Sequence, residues 1–373
     1  MKKPLDVAKY PTGLDEKIAE FENKVLLPHL QSVRKPHILG IVGLGGAGKT
    51  TLAKELFNRK SSQYSRCCFL DDVRENVNKG SLLSLQCSLL KQLNGTDLQL
   101  SSKYEAIAML KKHLPSQEIL LILDDVDKVD QVDALVPNQT SIHSNSLILI
   151  TSRDRDVLTR SGVEESSIYK LNGLNEQHSR ELFCWHAFRR SYPPPEFEDL
   201  SEKFVNACNG LPLSLKVFGA LLCGNIDMSF WHQQLDKLLK TLPSEIQERL
   251  RISYETLDSH EKQMFLDIAC FFLGENRDTA ITIWNGSGWV GELGFQALQN
   301  KCLVEVVEAN RSTEIRMHDH LRDMGRAEAL VSQPLRFWRM DDLLQQSSVS
   351  SHHSIFYILF NFVVLHYFAR INM

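Results

Sequence analysis

The stretch GIVGLGGAGKTTLAKELF, residues 40–57, is the part of the sequence that decides the fold. It contains the pattern GxxxxGK followed by Ser or Thr, as Gly43, Gly48, Lys49 and Thr50. The run before it, HILGIVG, is mostly apolar and rich in β-branched residues, which is typical of a buried parallel strand. After it, apolar residues recur at helical spacing. A strand, a glycine loop and a helix in this order predict a loop that binds phosphate.

The chemistry of a phosphate site explains the residue types in this loop. Glycines reach backbone angles that other residues avoid, so successive N–H groups can turn towards an anion. The following helix adds unpaired N–H groups and a partial positive charge. We expect Lys49 to reach the β- and γ-phosphates of a nucleotide and Thr50 to ligate Mg²⁺. The alternative, a glycine-rich turn with a chance lysine, fits this context poorly. The predicted phosphate-binding residues are Gly43, Gly45, Gly46, Gly48, Lys49, Thr50 and Thr51.

The composition indicates a globular protein with no overall attraction to nucleic acid. Of the 373 residues, 43% are hydrophobic and 24% charged, and the net charge is −4. The eight cysteines form no CxxC pair, so the sequence predicts neither a zinc site nor a disulfide framework, and it favours a reducing, intracellular setting. Lys2 and Lys3 are followed by Pro4 rather than by an apolar run, which argues against a secretory signal. We expect a cytoplasmic protein, with the nucleus as the alternative.

One segment near the C-terminus departs from this composition. The run IFYILFNFVVLHYFA, residues 355–369, is apolar but contains Asn361 and His366. A membrane-spanning helix needs about 20 apolar residues, so this run is short for one. Three interpretations stay open: a tail anchor in a membrane, a buried strand, or a chain end that was never selected to fold.

The pattern along the chain changes from alternating strands and helices to helices alone. Between residues 38 and 171, four further strand-like runs alternate with helical runs, which predicts a parallel sheet covered on both faces. Four amphipathic helices follow, and residues 245–335 hold further helices with two short strand-like runs, a pattern that favours a winged helix. The predicted fold is an α/β P-loop NTPase domain with a parallel sheet, then a helical subdomain and a winged-helix subdomain. The predicted bounds are 12–172 for the nucleotide-binding domain, 173–243 for the helical subdomain, 244–335 for the winged-helix subdomain and 336–373 for a tail without an assigned structure.

Two carboxylates end one of the predicted strands. The run LLILDDVDK places Asp124 and Asp125 at the carboxyl end of an apolar strand, where open α/β sheets bind their ligands. We expect Asp124 to hold Mg²⁺, directly or through water, and Asp125 to orient or deprotonate an attacking water. These two are the candidate catalytic residues. The alternative is a solvated turn, in which Asp is common.

Three further motifs carry candidate contacts. LILITSRDRDVL ends a strand at Arg153, which could bind a γ-phosphate in a bidentate manner; the alternative is a surface arginine at a helix start. In CNGLPLSLKVFG, Gly210 ends one helix and Pro212 opens the next, which a plain helical corner also explains. In RMHDHL, we expect Asp319 to be the N-cap of a helix and His318 to donate to a phosphate oxygen. The alternative there is a cap beside an incidental histidine.

The order of these motifs is more specific than any one of them. The phosphate loop, LLILDDVDK, ITSRD, GLPL, FLDIACFF and MHD, in this order and spacing, closely resemble the NB-ARC module of plant intracellular immune receptors over residues 12–335. FLDIACFF at 265–272 and Asp127, the last acid of LDDVD, are similar to the subclass whose receptors carry an N-terminal TIR domain. Receptors with a coiled-coil domain usually show Trp at the Asp127 position.

The resemblance implies how a nucleotide is held and used. Such modules hold ADP in a closed resting state and ATP in an active, oligomerising state. The segment YPTGLDEKI, residues 10–18, resembles the part of the family that contacts adenine, but Thr12 stands where the family usually has Val. The implied roles are phosphate and Mg²⁺ binding for Lys49 and Thr50, the acidic pair for Asp124 and Asp125, γ-phosphate sensing for Arg153, packing on the adenine for Pro212, and contact with the ADP β-phosphate for His318.

The resemblance also implies partners. No TIR domain precedes Met1 and no leucine-rich repeats follow, so we expect a switch without the usual input and output of the family: a truncated receptor, a fragmentary gene product or an adaptor. The expected protein partners are full-length receptors or, on activation, further copies of this chain. We expect no nucleic-acid partner, and a membrane only through residues 355–369.

We interpret the nucleotide as a signal rather than as a substrate. The predicted contacts to it fall in all three predicted domains, so a nucleotide can favour one arrangement of them over another. The chain is then at most a slow ATPase. Two alternatives stay open. One is a P-loop kinase or processive NTPase, for which the sequence shows no second-substrate motif. The other is a winged-helix DNA-binding regulator, although acidic residues offset the arginines of 311–326.

Overall fold

The protein folds into two compact units. The first ends at Leu182 and also includes Gly210–Leu213, and the second comprises Phe183–Asn209 and the residues from Ser214 onwards. The predicted domain bounds at residues 172 and 243 stay predictions. The apolar run 355–369 and the tail 336–373 lie outside the described residues. The computed structural model describes residues 4–28, 37–79, 81–95, 100–139, 142–239, 246–309 and 312–330.

The first unit alternates strands and helices. Its strands are β1 (His37–Val42), β2 (Arg66–Leu70), β3 (Ile119–Val126), β4 (Leu147–Ser152) and β5 (Ile168–Lys170). Its helices are α1 (Leu14–Phe21), which a π-helical turn at Glu22–Leu26 continues, α2 (Lys49–Lys60), α3 (Val73–Lys79), α4 (Leu82–Asn94), α5 (Lys103–His113), α6 (Val129–Leu135), α7 (Arg155–Arg160) and the start of α8 (Glu176–Phe188).

Five parallel strands form the sheet of this unit, in the order β2-β3-β4-β1-β5. Every residue of β1 and β4 is buried, as both faces of a parallel sheet must be when helices cover them. The predicted α/β P-loop fold with a parallel sheet is confirmed. The strand order places β1, and therefore the glycine loop that follows it, beside the end of β4.

The register of the strands brings their carboxyl ends to one edge. Val42 of β1 pairs with Ser152 of β4, and Val126 of β3 pairs with the same serine. The register between β3 and β4 shifts at Asp124 and Asp125, which marks a bulge. Bulges bend a strand and re-aim its side chains, and they are common beside functional sites. The two carboxylates predicted from the sequence therefore lie in the irregular part of β3.

The second unit is mostly helical. Its helices are the remainder of α8, α9 (Glu198–Cys208), α10 (Pro212–Leu222, which starts in the first unit), α11 (Met228–Leu239), α12 (Ile246–Glu255), α13 (Ser259–Asp267), which a π-helical turn at Ile268–Phe272 continues, α14 (Arg277–Gly286), α15 (Gly291–Asn300) and α16 (Asp319–Ala329). Its strands are β6 (Glu305–Ala309) and β7 (Ser312–Arg316), which form an antiparallel hairpin.

An aromatic cluster forms the core of the first helices in this unit. Trp231 of α11 is fully buried, and its ring contacts four phenylalanine rings with centroid distances from 4.8 to 6.3 Å. The four are Phe183, Phe188, Phe197 and Phe204. Aromatic pairs at these distances add about 0.5–1.5 kcal/mol each beyond the burial of their area. The apolar faces predicted for these helices thus meet on one tryptophan.

The last described part of the second unit forms a winged helix, as predicted. The β6–β7 hairpin separates α15 from α16, and α16 packs on the π-helical turn after α13. The packing is close, because a Cβ added to Gly325 would lie 2.7 Å from the Cβ of Ala269. Arg326 Nε donates to the Ala269 carbonyl at 2.9 Å. FLDIACFF therefore forms the surface on which α16 rests.

One predicted detail of the MHD motif is wrong. The helix α16 begins at Asp319, so the N-cap is His318 and not Asp319. A cap residue has non-helical backbone angles, and His318 has them, with φ −61° and ψ 139°. Its Nδ1 accepts a hydrogen bond from the N–H of His320 at 3.2 Å. The histidine is thus fixed by the start of the helix that it caps.

Candidate functional site

The glycine loop holds Lys49 at the start of a helix. Gly48, with φ +97°, precedes α2, and Lys49 is its first residue. The lysine is 7% exposed, and its Nζ donates to the carbonyls of Gly43 and Leu44 at 2.9 and 3.0 Å. Burial lowers the pKa of Lys49 to about 8, against the opposing effect of Asp125. The ammonium is therefore mostly charged at neutral pH and lies inside the loop.

Two glycines of the loop are required by their neighbours. A Cβ at Gly43 would lie 2.8 Å from the carbonyl oxygen of Leu171. Gly46 has φ +75°, and a Cβ there would lie 2.7 Å from the Cβ of Leu213. The Leu213 N–H donates to the Gly46 carbonyl at 3.2 Å. The GLPL segment, which includes Pro212 at the start of α10, is therefore attached directly to the phosphate-binding loop.

Asp124 is a buried carboxyl group between two hydroxyls. It is 2% exposed, and it accepts hydrogen bonds from Thr50 Oγ1 at 2.8 Å and from Thr151 Oγ1 at 2.7 Å. Burial, with the like charge of Asp71, raises its pKa to about 7. Thr50 and Asp124, the two residues expected to bind Mg²⁺, therefore lie within hydrogen-bonding distance of each other.

Asp125 lies beside Asp124 but in a different environment. Its backbone is left-handed, with φ +53°, and its N–H donates to Thr151 Oγ1 at 2.9 Å. Arg74 Nε and Arg153 Nε donate to its carboxylate at 3.0 and 3.2 Å. Burial alone would raise the pKa of Asp125, but Arg153 and Arg74 outweigh it and hold the pKa below its ordinary value. Asp125 is therefore a charged partner that fixes two guanidinium groups.

The segment predicted to contact a base lies in the first unit as well. Gly13 precedes α1 with φ +70°, and a Cβ there would lie 2.7 Å from His178 Nδ1. Leu174, near this histidine, donates its N–H to the Gly210 carbonyl at 2.8 Å. Residues 10–18 therefore adjoin the chain that leads to Pro212.

The sequence-predicted residues fall into two groups. The structure brings the glycine loop, the acidic pair, Arg153 and Pro212 together in the first unit, whereas His318 belongs to the second. Sequence reasoning missed Arg74 and Thr151, which complete the hydrogen bonds of the acidic pair. Thr151 could have been found from its place in the ITSRD strand. Arg74 carries no comparable signal, because a charged residue in the run DDVRENV is typical of a solvated helix.

These observations describe a phosphate-binding loop with its acidic partner strand, and the family comparison agrees with them. Residues 21–192 match the NB-ARC domain family. The chain carries an NB-ARC domain. Residues 258–332 match the winged-helix domain of the Roq1-like disease resistance proteins. The NB-ARC domain implies nucleotide binding, and the resemblance drawn from the order of motifs is confirmed.

The relatives found for this NB-ARC chain are plant disease resistance proteins. It is 36% identical to the disease resistance protein RPV1 of Vitis rotundifolia over 87% of this chain and 22% of that protein. It is 34% identical to the TMV resistance protein N of Nicotiana glutinosa over 84% of this chain and 27% of that protein. The chain thus spans about a quarter of the length of the curated relatives it matches.

A solved structure shares the fold of the NB-ARC chain. The signal transduction ATPase with numerous domains (STAND) protein PH0952 from Pyrococcus horikoshii, which has a tetratricopeptide repeat sensor, superposes with a TM-score of 0.51 at 16% identity. The match covers 89% of this chain and 44% of that one. Within the described ranges, none of the helices has the length and apolar character that crossing a membrane requires.

Proposed function

We propose that this chain is an ADP/ATP-dependent switch that acts in plant defence signalling inside the cell. ADP holds the resting state and ATP the active state, with slow hydrolysis between them. Its protein partners are full-length immune receptors or further copies of the chain. The NB-ARC and winged-helix matches and the disease-resistance relatives support this assignment.

The contact of Arg153 with Asp125 carries the proposal. Arg153 stands at the carboxyl end of β4, in the same network as Lys49 and Thr50. A guanidinium there can bind phosphate oxygens in a bidentate manner. A ligand shifts a conformational equilibrium only through contacts that differ between the two states. An arginine that contacts the γ-phosphate supplies such a difference, because ADP has no γ-phosphate.

The energy available from these contacts matches what a switch requires. Moving an equilibrium from 1:99 to 99:1 takes about 5.5 kcal/mol of differential binding. Hydrogen bonds to charged groups contribute about 1.5–3 kcal/mol each. Two or three such bonds from Arg153 and Lys49 to a γ-phosphate therefore reach this range.

The residues beside the loop fit a magnesium ion. Thr50 Oγ1 and the carboxylate of Asp124 are hard oxygen donors 2.8 Å apart, the ligand type that Mg²⁺ takes together with substrate phosphates. These two residues would hold the ion, which when bound neutralises phosphate charge. A cation at Asp124 would also favour the carboxylate that burial disfavours.

The environment of Asp125 supports the proposal that hydrolysis is slow. A general base works best with a pKa near the working pH, whereas Arg153 and Arg74 hold the pKa of Asp125 low. Asp125 therefore orients the attacking water and the two arginines, and it abstracts a proton only weakly. A steady-state turnover above about 1 s⁻¹, typical of enzymes, would favour the kinase or processive NTPase alternative.

Two further contacts belong to the proposal. Pro212 packs on the adenine, which its attachment to the phosphate loop through Leu213 supports. His318 contacts the β-phosphate of ADP in the resting state, and its fixed position as the N-cap of α16 supports this role. Pro212 would then contact the base and His318 the phosphate, so two different parts of the chain would contact one nucleotide.

Separate titrations of ADP and a non-hydrolysable ATP analogue test the switch. We expect Arg153→Ala to weaken binding of the ATP analogue by tenfold or more while ADP binding changes less, and His318→Ala to weaken ADP selectively. The matched control is Arg155→Ala, since Arg155 is an exposed neighbour that pairs with Glu165. If each variant weakened both nucleotides equally, the nucleotide-sensing roles would be wrong.

A further inference from the structure

A second cluster of reactive side chains lies in the second unit, outside the residues that the proposed switch uses. We define the thiol cluster as Cys302, His186, Lys216 and Glu305. Cys302 Sγ lies 3.6 Å from His186 Nδ1, within hydrogen-bonding distance for sulfur. Lys216 of α10 forms an ion pair with Glu305 of β6.

The backbone fixes the position of Cys302. Cys302 lies just after the C-terminus of α15 and has a φ of +54°. Its N–H donates to the Gln299 carbonyl, and the N–H of Leu303 donates to the Leu298 carbonyl, at 3.0 Å each. This is a helix end at which glycine is the usual residue. A cysteine is strained in this left-handed conformation, because its Cβ crowds the backbone. The thiol is therefore held in one place rather than on a mobile surface loop.

Close packing fixes the histidine as well. His186 is 5% exposed, and a Cβ added to Gly219 of α10 would lie 2.7 Å from the His186 Cβ. The absence of a side chain at Gly219 thus lets α8 and α10 approach. The buried imidazole is presented to the partly exposed sulfur of Cys302.

The charges around the cluster favour a thiolate. Lys216 is near enough to Cys302 for their charges to interact, and burial lowers the pKa of this lysine, against the raising effect of a Cys302 thiolate. Lys301, the residue before Cys302, directs its ammonium to Thr256 Oγ1 at 3.4 Å. Glu305 is the acidic member and is paired with Lys216. A thiol beside a histidine and a lysine is the arrangement that activates cysteine nucleophiles.

We propose that Cys302 is a nucleophilic thiol that hydrogen peroxide oxidises to a sulfenic acid. The Cys302 proton moves to His186, and the thiolate sulfur attacks one peroxide oxygen. The S–O bond forms as the O–O bond breaks, and the leaving hydroxide takes the proton from the imidazolium to become water. The sulfur is oxidised and the peroxide reduced, so that thiol and peroxide give sulfenic acid and water.

The expected gain in reactivity is modest and measurable. An ordinary thiol is a few per cent thiolate at pH 7. Stabilising the thiolate raises this reactive fraction, but the intrinsic nucleophilicity of the sulfur falls as the thiolate is stabilised. The net expectation is a rate at pH 6.5–7 about threefold or more above that of an ordinary thiol.

The chain provides its own matched controls. Cys87 and Cys223 are partly exposed like Cys302, whereas the other five cysteines are buried. Limited labelling of the intact protein with iodoacetamide, read by peptide mass spectrometry, should modify Cys302 first at pH 6.5, with the three rates converging near pH 9. After treatment with hydrogen peroxide, dimedone should trap a sulfenic acid on Cys302 in preference to the two controls.

Two variants distinguish activation of Cys302 by the thiol cluster from simple solvent exposure of its sulfur. His186→Gln should slow Cys302 labelling at pH 6.5 but not at pH 9, where the thiolate forms without help. Lys216→Met should act in the same direction, and it covers the case in which His186→Gln does not fold. Equal labelling of Cys302 and both control cysteines at pH 6.5 would overturn the proposal. So would faster labelling of Cys302 than of the controls that persists in folded His186→Gln or Lys216→Met protein.

Discussion

Replacing Asp124 with Asn should stabilise the nucleotide-free protein while it weakens nucleotide binding. The Asp124 carboxyl group is buried, and both of its oxygens accept hydrogen bonds from neutral hydroxyls, those of Thr50 and Thr151. Its negative charge is therefore costly until a cation is present. Asparagine keeps the shape of the side chain and one acceptor oxygen, and the threonine hydroxyls can accept hydrogen bonds from its amide NH₂ group.

The pKa gives the size of this effect. A rise from 3.8 to about 7 means that folding disfavours the carboxylate of Asp124 by about 4 kcal/mol. Because the folded-state pKa is raised, the contribution of this group to stability is fully present below pH 3.8 and is lost as the pH rises towards 7. Asparagine does not titrate, so the gain in the free energy of unfolding should be about 3 kcal/mol larger at pH 8 than at pH 5.

The assay must follow the first unit. All five tryptophans lie after residue 182, so fluorescence reports the second unit. Pulse proteolysis in urea, with mass spectrometry of peptides from β3 and β4, reports the first. The control is Asp133→Asn, which changes an exposed carboxylate on α6 and should have little effect at either pH. Equal gains for Asp124→Asn at pH 5 and pH 8 would refute the reasoning.

Three further predictions concern binding and packing. Lys49→Ala should lower nucleotide affinity more than tenfold in a calorimetric titration, because a charge-assisted bond contributes about 1.5–3 kcal/mol; unchanged affinity would refute the assignment of the loop. Gly46→Ala should destabilise the first unit by about 1–3 kcal/mol more than Gly48→Ala in pulse proteolysis, since only at Gly46 does a new Cβ meet another side chain. Gly325→Ala should destabilise the second unit by a similar amount in urea unfolding followed by fluorescence, because the new Cβ would meet Ala269. Gly286→Ala, whose new Cβ meets no atom within 4 Å, should instead stabilise this unit by up to about 1 kcal/mol. Equal effects within either glycine pair would contradict the packing described here.

The sheet could be predicted from the sequence because its signals are strong and local. The strands around Ile41, Leu121 and Leu149 are continuous apolar runs between turn residues, the expected pattern for strands buried on both faces. The glycine loop could be predicted for the same reason, because the residues that it requires are close together in the sequence. The strand β1 ends at Val42, one residue before the end of the predicted strand HILGIVG.

The remaining details depend on contacts between distant residues. Arg74 reaches Asp125 only because α3 packs beside β3, which no local pattern in the sequence indicates. The left-handed backbone of Asp125 arises from a shift in register between two strands. At the MHD motif, Asp319 is the residue type that an N-cap favours, but the helix begins at Asp319, so His318 takes the N-cap position.

The nucleotide retained by the protein after gentle purification tests the switch most directly. The protein is purified without added nucleotide, denatured, and its supernatant is separated by chromatography against ADP and ATP standards. The account predicts close to one ADP per chain in wild type and a much lower amount in Lys49→Ala. Folded, monomeric wild-type protein that carries no nucleotide would contradict it.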